Sequence, residues 1–294
     1  MKLISRSSSG AIANGKSSRP AISADGRFVA FVTRASNLSS KVSDTSTSHV
    51  YLRDRKKGTT RLVSRNDQGF AGDDHSYVPA ISPDGKFIAY ASEATNLSNR
   101  DENGVLQVFL FNRITKKTSL MSRNNDGAAG NGPSTDPALS RKAERVVFSS
   151  DATNFGKSTN GTADAYMRDR QARKTRRVSL NWKGKQLNDG EKSAETTAPD
   201  ISANGRMIVF ESRATNALKG TPPPGMKGHV YARHLGSGKL TRLSRRSAAG
   251  NADSVRPRIS ADGEFAAFGS DATNLIKGGD ANGSDDDVFR RGRL

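Results

Sequence analysis

The chain of 294 residues carries 47 lysines and arginines against 29 acids, a formal charge of +18, and no cysteine. Disulfides and thiolate chemistry are excluded, and no apolar run reaches the 18 residues that a membrane helix needs. The charge favours acidic partners and says nothing about fold.

The first residues, "MKLISRSSSG", have a positive start but no apolar h-region, so no signal peptide is visible. Instead they match the fourth strand and crossover of other repeats, such as "TRLVSRNDQG" (60–69). Next comes "ISADGRFVAF" (22–31), and the phrase returns as "ISPDGKFIAY" (81–90), "ISANGRMIVF" (201–210) and "ISADGEFAAF" (259–268). A worn copy, "LSRKAERVVF", lies at 139–148. The prolines Pro20, Pro79, Pro137, Pro199 and Pro257 measure a period of 58 to 62 residues.

The second copy reads strand by strand. "YVPAIS" is an apolar strand, "PDG" a tight turn, "KFIAYAS" a second strand, and "EATNLSNRDENGVL" a long polar loop. "QVFLFNR" is a third strand, "ITKK" a turn and "TSLMSR" a fourth, before "NNDGAAGNGPST" crosses to the next repeat. No window has a 3.6-residue apolar period, so no helix is expected. A linear β-solenoid is the alternative, but its coils are shorter and lack this hairpin–loop–hairpin order. The expectation is all-β: a five-bladed β-propeller of four-stranded antiparallel blades in a single domain, 1–294. The repeats run at about 7–65, 66–123, 124–180, 181–246, and 247–294 together with 1–6. The last repeat stops after its third strand, "DDVFRRGRL". Lys2–Arg6 are therefore expected to pair with Val288–Arg291 and close the ring.

These phrases, with "SDATNL", "GDANGSDDDVF" and "VYLRDRKKGTTRLVS", resemble the WD-like repeats of TolB-like bacterial β-propellers. The resemblance spans all five repeats. It implies the propeller fold and a periplasmic or extracellular setting, and it names no partner. The third repeat departs from the pattern at "RKAER", and five repeats are one fewer than the TolB propeller has.

No catalytic constellation emerges. His49, His75, His229 and His234 lack metal spacing, and no nucleophile elbow accompanies them. Asn37, Asn96, Asn154, Asn216 and Asn274 recur at the head of each long loop. Each is read as bonding the backbone two residues on, with a repeated ligand role as the sharper alternative. The acidic loops offer a calcium site in Asp280, Asn282 and Asp287, with Asp285 and Asp286 nearby and Asp101, Glu102 and Asn103 in an earlier repeat. A solvated turn is the competing reading.

The bases are segregated. Stretches from the end of each third strand through the fourth hold 28 of the 47 lysines and arginines and two of the 29 acids. Candidate contacts for an anionic partner are Arg55, Lys56, Lys57, Lys116, Lys117, Arg170, Arg173, Lys174, Arg176, Lys239, Arg245 and Arg246. Edge protection explains part of this pattern without any partner. Trp182 alone among these stretches could stack on a base, which argues against sequence-specific nucleic-acid reading. The functional expectation is a non-enzymatic, monomeric binding or scaffold propeller that meets an acidic protein, polysaccharide or surface and has no cofactor. A calcium- or glycan-binding module, or a gating domain of an enzyme, are the alternatives.

Overall fold

A computed structural model describes residues 1–99, 104–156, 161–187, 195–220, 227–279, 283 and 285–294. Among them there is no helix. Strands β1 (Ser17–Ile22), β2 (Phe28–Thr33), β3 (His49–Asp54) and β4 (Thr59–Leu62) form the first antiparallel sheet, in chain order. The second holds β5 (Ser76–Ile81), β6 (Phe87–Ser92), β7 (Gln107–Asn112) and β8 (Lys117–Leu120). The third holds β9 (Ser134–Leu139), β10 (Arg145–Ser150), β11 (Asp164–Asp169) and β12 (Lys174–Arg177). The fourth holds β13 (Thr196–Ile201), β14 (Met207–Ser212), β15 (His229–His234) and β16 (Leu240–Arg242). β17 (Ser254–Ile259), β18 (Phe265–Ser270) and β19 (Asp287–Gly292) make the last. The chain divides into two compact units, Met1–Val146 with Arg168–Thr175, and Val147–Met167 with Arg176–Leu294.

Each sheet is built around one aromatic pair on its second and third strands. Phe31–Tyr51, Tyr90–Phe109, Phe148–Tyr166, Phe210–Tyr231 and Phe268–Phe289 stack with centroids 5.9–6.2 Å apart. Cross-strand aromatic pairs of this kind add to the area they bury. The first strands are not the plain strands the pattern suggested. The residues before the repeat prolines, Arg19, Val78, Asp136, Ala198 and Arg256, take φ of 44° to 51°. In the four sheets whose register is given in full, the ladder slips at that point. Proline has no N–H for the ladder, and the chain bulges around it.

The Ser-x-Asp-Gly turn explains the repeated phrase. Ser82 Oγ donates to Asp84 Oδ1 (2.7 Å) and accepts from Phe87 N (3.0 Å), while Gly85 takes φ 66°. In the third repeat Ala143 occupies the glycine position and adopts φ 50°, so "RKAER" keeps the turn at a strain cost.

Each sheet also fastens the crossover that enters it. Thr60 Oγ1 donates to Arg6 O and its N to Ser8 Oγ (2.9 Å). Thr118 and Thr175 do the same to Arg65 O with Asp67, and to Arg123 O with Asn125. An arginine on the third strand reinforces the clasp. Arg53 donates to Ser7 O (3.0 Å), Arg168 to Asn124 O (3.4 Å), Arg233 to Leu180 O and Arg291 to Arg245 O (3.3 Å). At the far end the loop asparagines hold the same crossovers. Asn37 Nδ2 donates to Ile12 O (2.7 Å), Asn96 to Ala71 O (2.9 Å), Asn216 to Gln186 O (3.4 Å) and Asn274 to Ala249 O (2.9 Å). The role is structural, as read, but the partner lies some 25 residues upstream rather than two residues on.

The last sheet has three strands. Lys2–Arg6 form no strand; Arg6 instead makes an isolated bridge to Ile12, and Ile4 packs on the core of the first sheet. The edge so left is visible in the burial. Val288 is 84% exposed, whereas its counterparts Val50, Val108, Ala165 and Val230 are 0% exposed.

Gly85 packs against the first sheet: a Cβ there would meet Phe28 Cδ2 at 2.4 Å. Gly85→Ala combines that clash with a left-handed backbone and should lower unfolding free energy by about 3 kcal/mol, read by urea denaturation. A loss below about 0.5 kcal/mol would contradict this packing.

Candidate functional site

In the first three sheets the two hairpin turns meet at one end. The residue after the third strand donates its N–H to the residue after the first turn: Arg55 to Arg27 O, Arg113 to Lys86 O and Arg170 to Glu144 O, each at 2.9 Å. Their guanidinium groups then reach back to the first turn, Arg55 to Gly26 O, Arg113 to Gly85 O (2.9 Å) and Arg170 to Ala143 O (3.1 Å). Rings from the second strands support them. Arg27 and Arg113 lie 4.7 and 4.2 Å from the Phe28 centroid, and Arg170 lies 4.9 Å from that of Phe87. Arginine is suited to this, since one N–H can be fixed while the planar group stacks and keeps donors to spare.

Two acids at this end are engaged. Asp54 takes a bidentate pair with Arg27 (3.0 and 2.8 Å) and accepts from Lys56 N and Lys57 N. The Arg27 guanidinium and these amides hold its carboxyl at about 2. Asp169 accepts from Gln171 N and Ala172 N and faces Arg145 at 3.7 Å. The turns leave Lys56, Lys57, Lys116, Lys117, Arg173 and Lys174 exposed. Lys116 and Arg173 occupy left-handed turn positions, φ 60° and 56°.

Not every expected residue shares this end. Arg176 is exposed on β12, and Lys239 is exposed in the β15–β16 turn. Arg245 and Arg246 follow β16 in a crossover, where Arg245 bridges Ala249, so they lie at the opposite end of their sheet. Arg27 and Arg113 were missing from the expected set. The signal was the arginine that recurs, one repeat apart, just after each of the first three third strands.

The buried titratable groups belong to a repeated structural device. Ser64, Ser122, Ser179 and Ser244 each accept from the backbone N of the second residue of a third strand, at 2.8–3.1 Å. Each also meets the first residue's side chain: His49 (3.5 Å), Gln107 (2.6 Å), Asp164 (2.7 Å) and His229 (3.3 Å). Burial pushes Asp164 up to about 6 against the pull of Arg177, 3.0 Å away, and pushes His229 down to about 4. In the third sheet Asp164 also accepts from Gln186 Nε2 at 2.8 Å, so Arg177, Ser179 and Gln186 meet at its carboxylate.

Asp280, Asn282, Asp101, Glu102 and Asn103 lie outside the described residues. Asp287 opens β19, and Asp286 shares a hydrogen bond with Asp271 that raises the latter's pKa. Among the described residues no group of three acids or histidines could hold a metal.

No family model matches the chain, and none of the curated proteins does. Solved structures match its fold. The putative TolB from Agrobacterium tumefaciens is 14% identical with a TM-score of 0.52, over 95% of this chain and 82% of that one. The β-propeller domain of the trilobed protease from Pyrococcus furiosus, of open velcro topology, is 13% identical with a TM-score of 0.54, over 96% and 69%. TolB from Acinetobacter baumannii is 18% identical with a TM-score of 0.50, over 86% of this chain and 48% of that one, so this chain spans about half its length. An oligogalacturonate lyase and prolyl endopeptidases share the fold as well.

Asp54 is stabilising above its unfolded pKa near 4, and that contribution should vanish as pH falls toward 2. Asp54→Asn should cost about 2 kcal/mol at pH 7 and almost nothing at pH 2, read by urea unfolding. An equal cost at both would show that the ion pair is not what the side chain contributes. The aromatic-paired sheets, the clasped crossovers and the structural matches together place this chain in the fold of the TolB-like β-propellers.

Proposed function

We propose that the chain is a non-enzymatic binding or scaffold propeller that engages an acidic protein, polysaccharide or other anionic surface through its hairpin-turn end. The carrying observation is the pairing of spent acids with free bases at that end. Asp54 and Asp169 are tied into turns and ion pairs, while Lys56, Lys57, Lys116, Lys117, Arg173 and Lys174 project from them. Edge protection alone would place bases on the outer strands; it gives no reason to stack and anchor arginines in the turns. Contact of this kind is long-range, salt-dependent and indifferent to base sequence. The chain should be retained on immobilised heparin at low salt, with elution at lower salt for the Lys57→Glu, Lys116→Glu, Arg173→Glu, Lys174→Glu variant. No retention of the parent chain at low salt would sink the reading.

The same proposal includes a five-bladed ring closed by the chain's first residues. Ser5 in "LISR" occupies the place of Ser64, Ser122, Ser179 and Ser244, so paired with β19 it would accept from Val288 N beside Asp287 and cover Val288. Deleting Met1–Arg6 should then lower the melting temperature by several degrees and promote self-association through the β19 edge. An unchanged melting temperature and monomeric state would favour an open ring.

A further inference from the structure

Phe111 breaks the arginine clasp. It stands on β7 where the corresponding strands carry Arg53, Arg168, Arg233 and Arg291, each of which donates to the crossover entering its sheet. Phenylalanine cannot donate, and the crossover into the second sheet is held by Thr118 without that arginine. A groove of about 400 Å³ opens at this place, between the first and second sheets.

Its floor is carbon. Leu52, Leu62, Val63 and Phe111 line it and are 0–7% exposed. Its walls carry five bases, Lys41, Arg61, Arg65, Arg113 and Lys116, and no acid. Asp67, the nearest acid on the same crossover, does not line the groove, and its Oδ1 accepts from Thr118 N. The five bases supply the charge that an anionic group in the groove would meet. The volume lies within the range of small-ligand sites, where an apolar body is buried and a few polar groups fix its orientation.

We propose that this groove binds a small amphiphilic anion: one carboxylate, sulfonate or phosphate on an aromatic or aliphatic body. The apolar part would displace water from Leu52, Leu62 and Phe111, and the anionic head would take donors from Arg65 and its basic neighbours. A sugar polymer or phosphodiester backbone would leave the carbon floor wet, so this site, which shares Arg113 and Lys116 with the polyanion surface proposed above, does not depend on it.

The test is calorimetric titration of the full chain with 2-naphthalenesulfonate, with inorganic sulfate and neutral 2-naphthol as comparisons. Both comparison compounds should bind at least tenfold more weakly than naphthalenesulfonate. Arg61→Glu with Lys116→Glu, both exposed positions, should weaken naphthalenesulfonate at least tenfold without moving the melting temperature. Phe111→Arg, which restores the clasp of the other sheets and takes a ring out of the apolar floor, should weaken naphthalenesulfonate at least tenfold. Arg173→Glu with Lys174→Glu should lower heparin retention and leave naphthalenesulfonate unaffected. No binding at millimolar concentration, binding equal to that of 2-naphthol, or binding untouched by both groove variants would overturn the proposal.

Discussion

Everything in this molecule depends on how the crossovers are held. The strands are short, none longer than six residues, and each sheet is fastened to the segment that enters it. Thr60, Thr118 and Thr175 bind that segment at the outer strand, and Asn37, Asn96, Asn216 and Asn274 bind it at the long loop. The crossover is thus fixed at both ends by side chains that recur once per repeat. Its own buried carbonyls are satisfied in the process, as buried backbone requires. The natural unit runs from a crossover through the four strands that follow it.

That fastening separates the two ends of each sheet. At the loop end, polar groups point inward: the histidine, glutamine or aspartate opening a third strand meets a serine just past the fourth, and burial shifts the titratable ones away from their ordinary values. At the turn end, tight turns bind their own acids and send bases outward. The charge excess of the chain is therefore concentrated by turn chemistry, and the rings of Phe28 and Phe87 keep the arginines among them in place. Stacking lowers the conformational freedom of a guanidinium before any partner arrives, which favours binding.

Repetition also shows what a single change does. Ala143 in place of glycine keeps a turn but takes a left-handed backbone. Phe111 in place of arginine removes a clasp and puts a ring on the floor of a groove walled by bases. The third strand of the last sheet keeps the aromatic pair of the others yet exposes Val288, because no fourth strand covers it.

The sequence by itself determined the strands, the number of repeats and the absence of helix, since these follow from period-two alternation and turn residues that act over a few positions. It also located the basic stretches, because charge is read from composition along the chain. Two features of the strands escaped it. The bulge before each proline was invisible, as a bulge is a relation to the paired strand. The partners of the loop asparagines were misplaced, although a spacing of 25 residues to the crossover recurs in three of the four copies whose bond is seen. Only the tertiary structure decided which bases share an end, which acids are spent, and that Phe111 stands over a groove. Those outcomes depend on contacts between residues some 25 to 60 positions apart, where local propensity carries no information and packing of one sheet against the next decides.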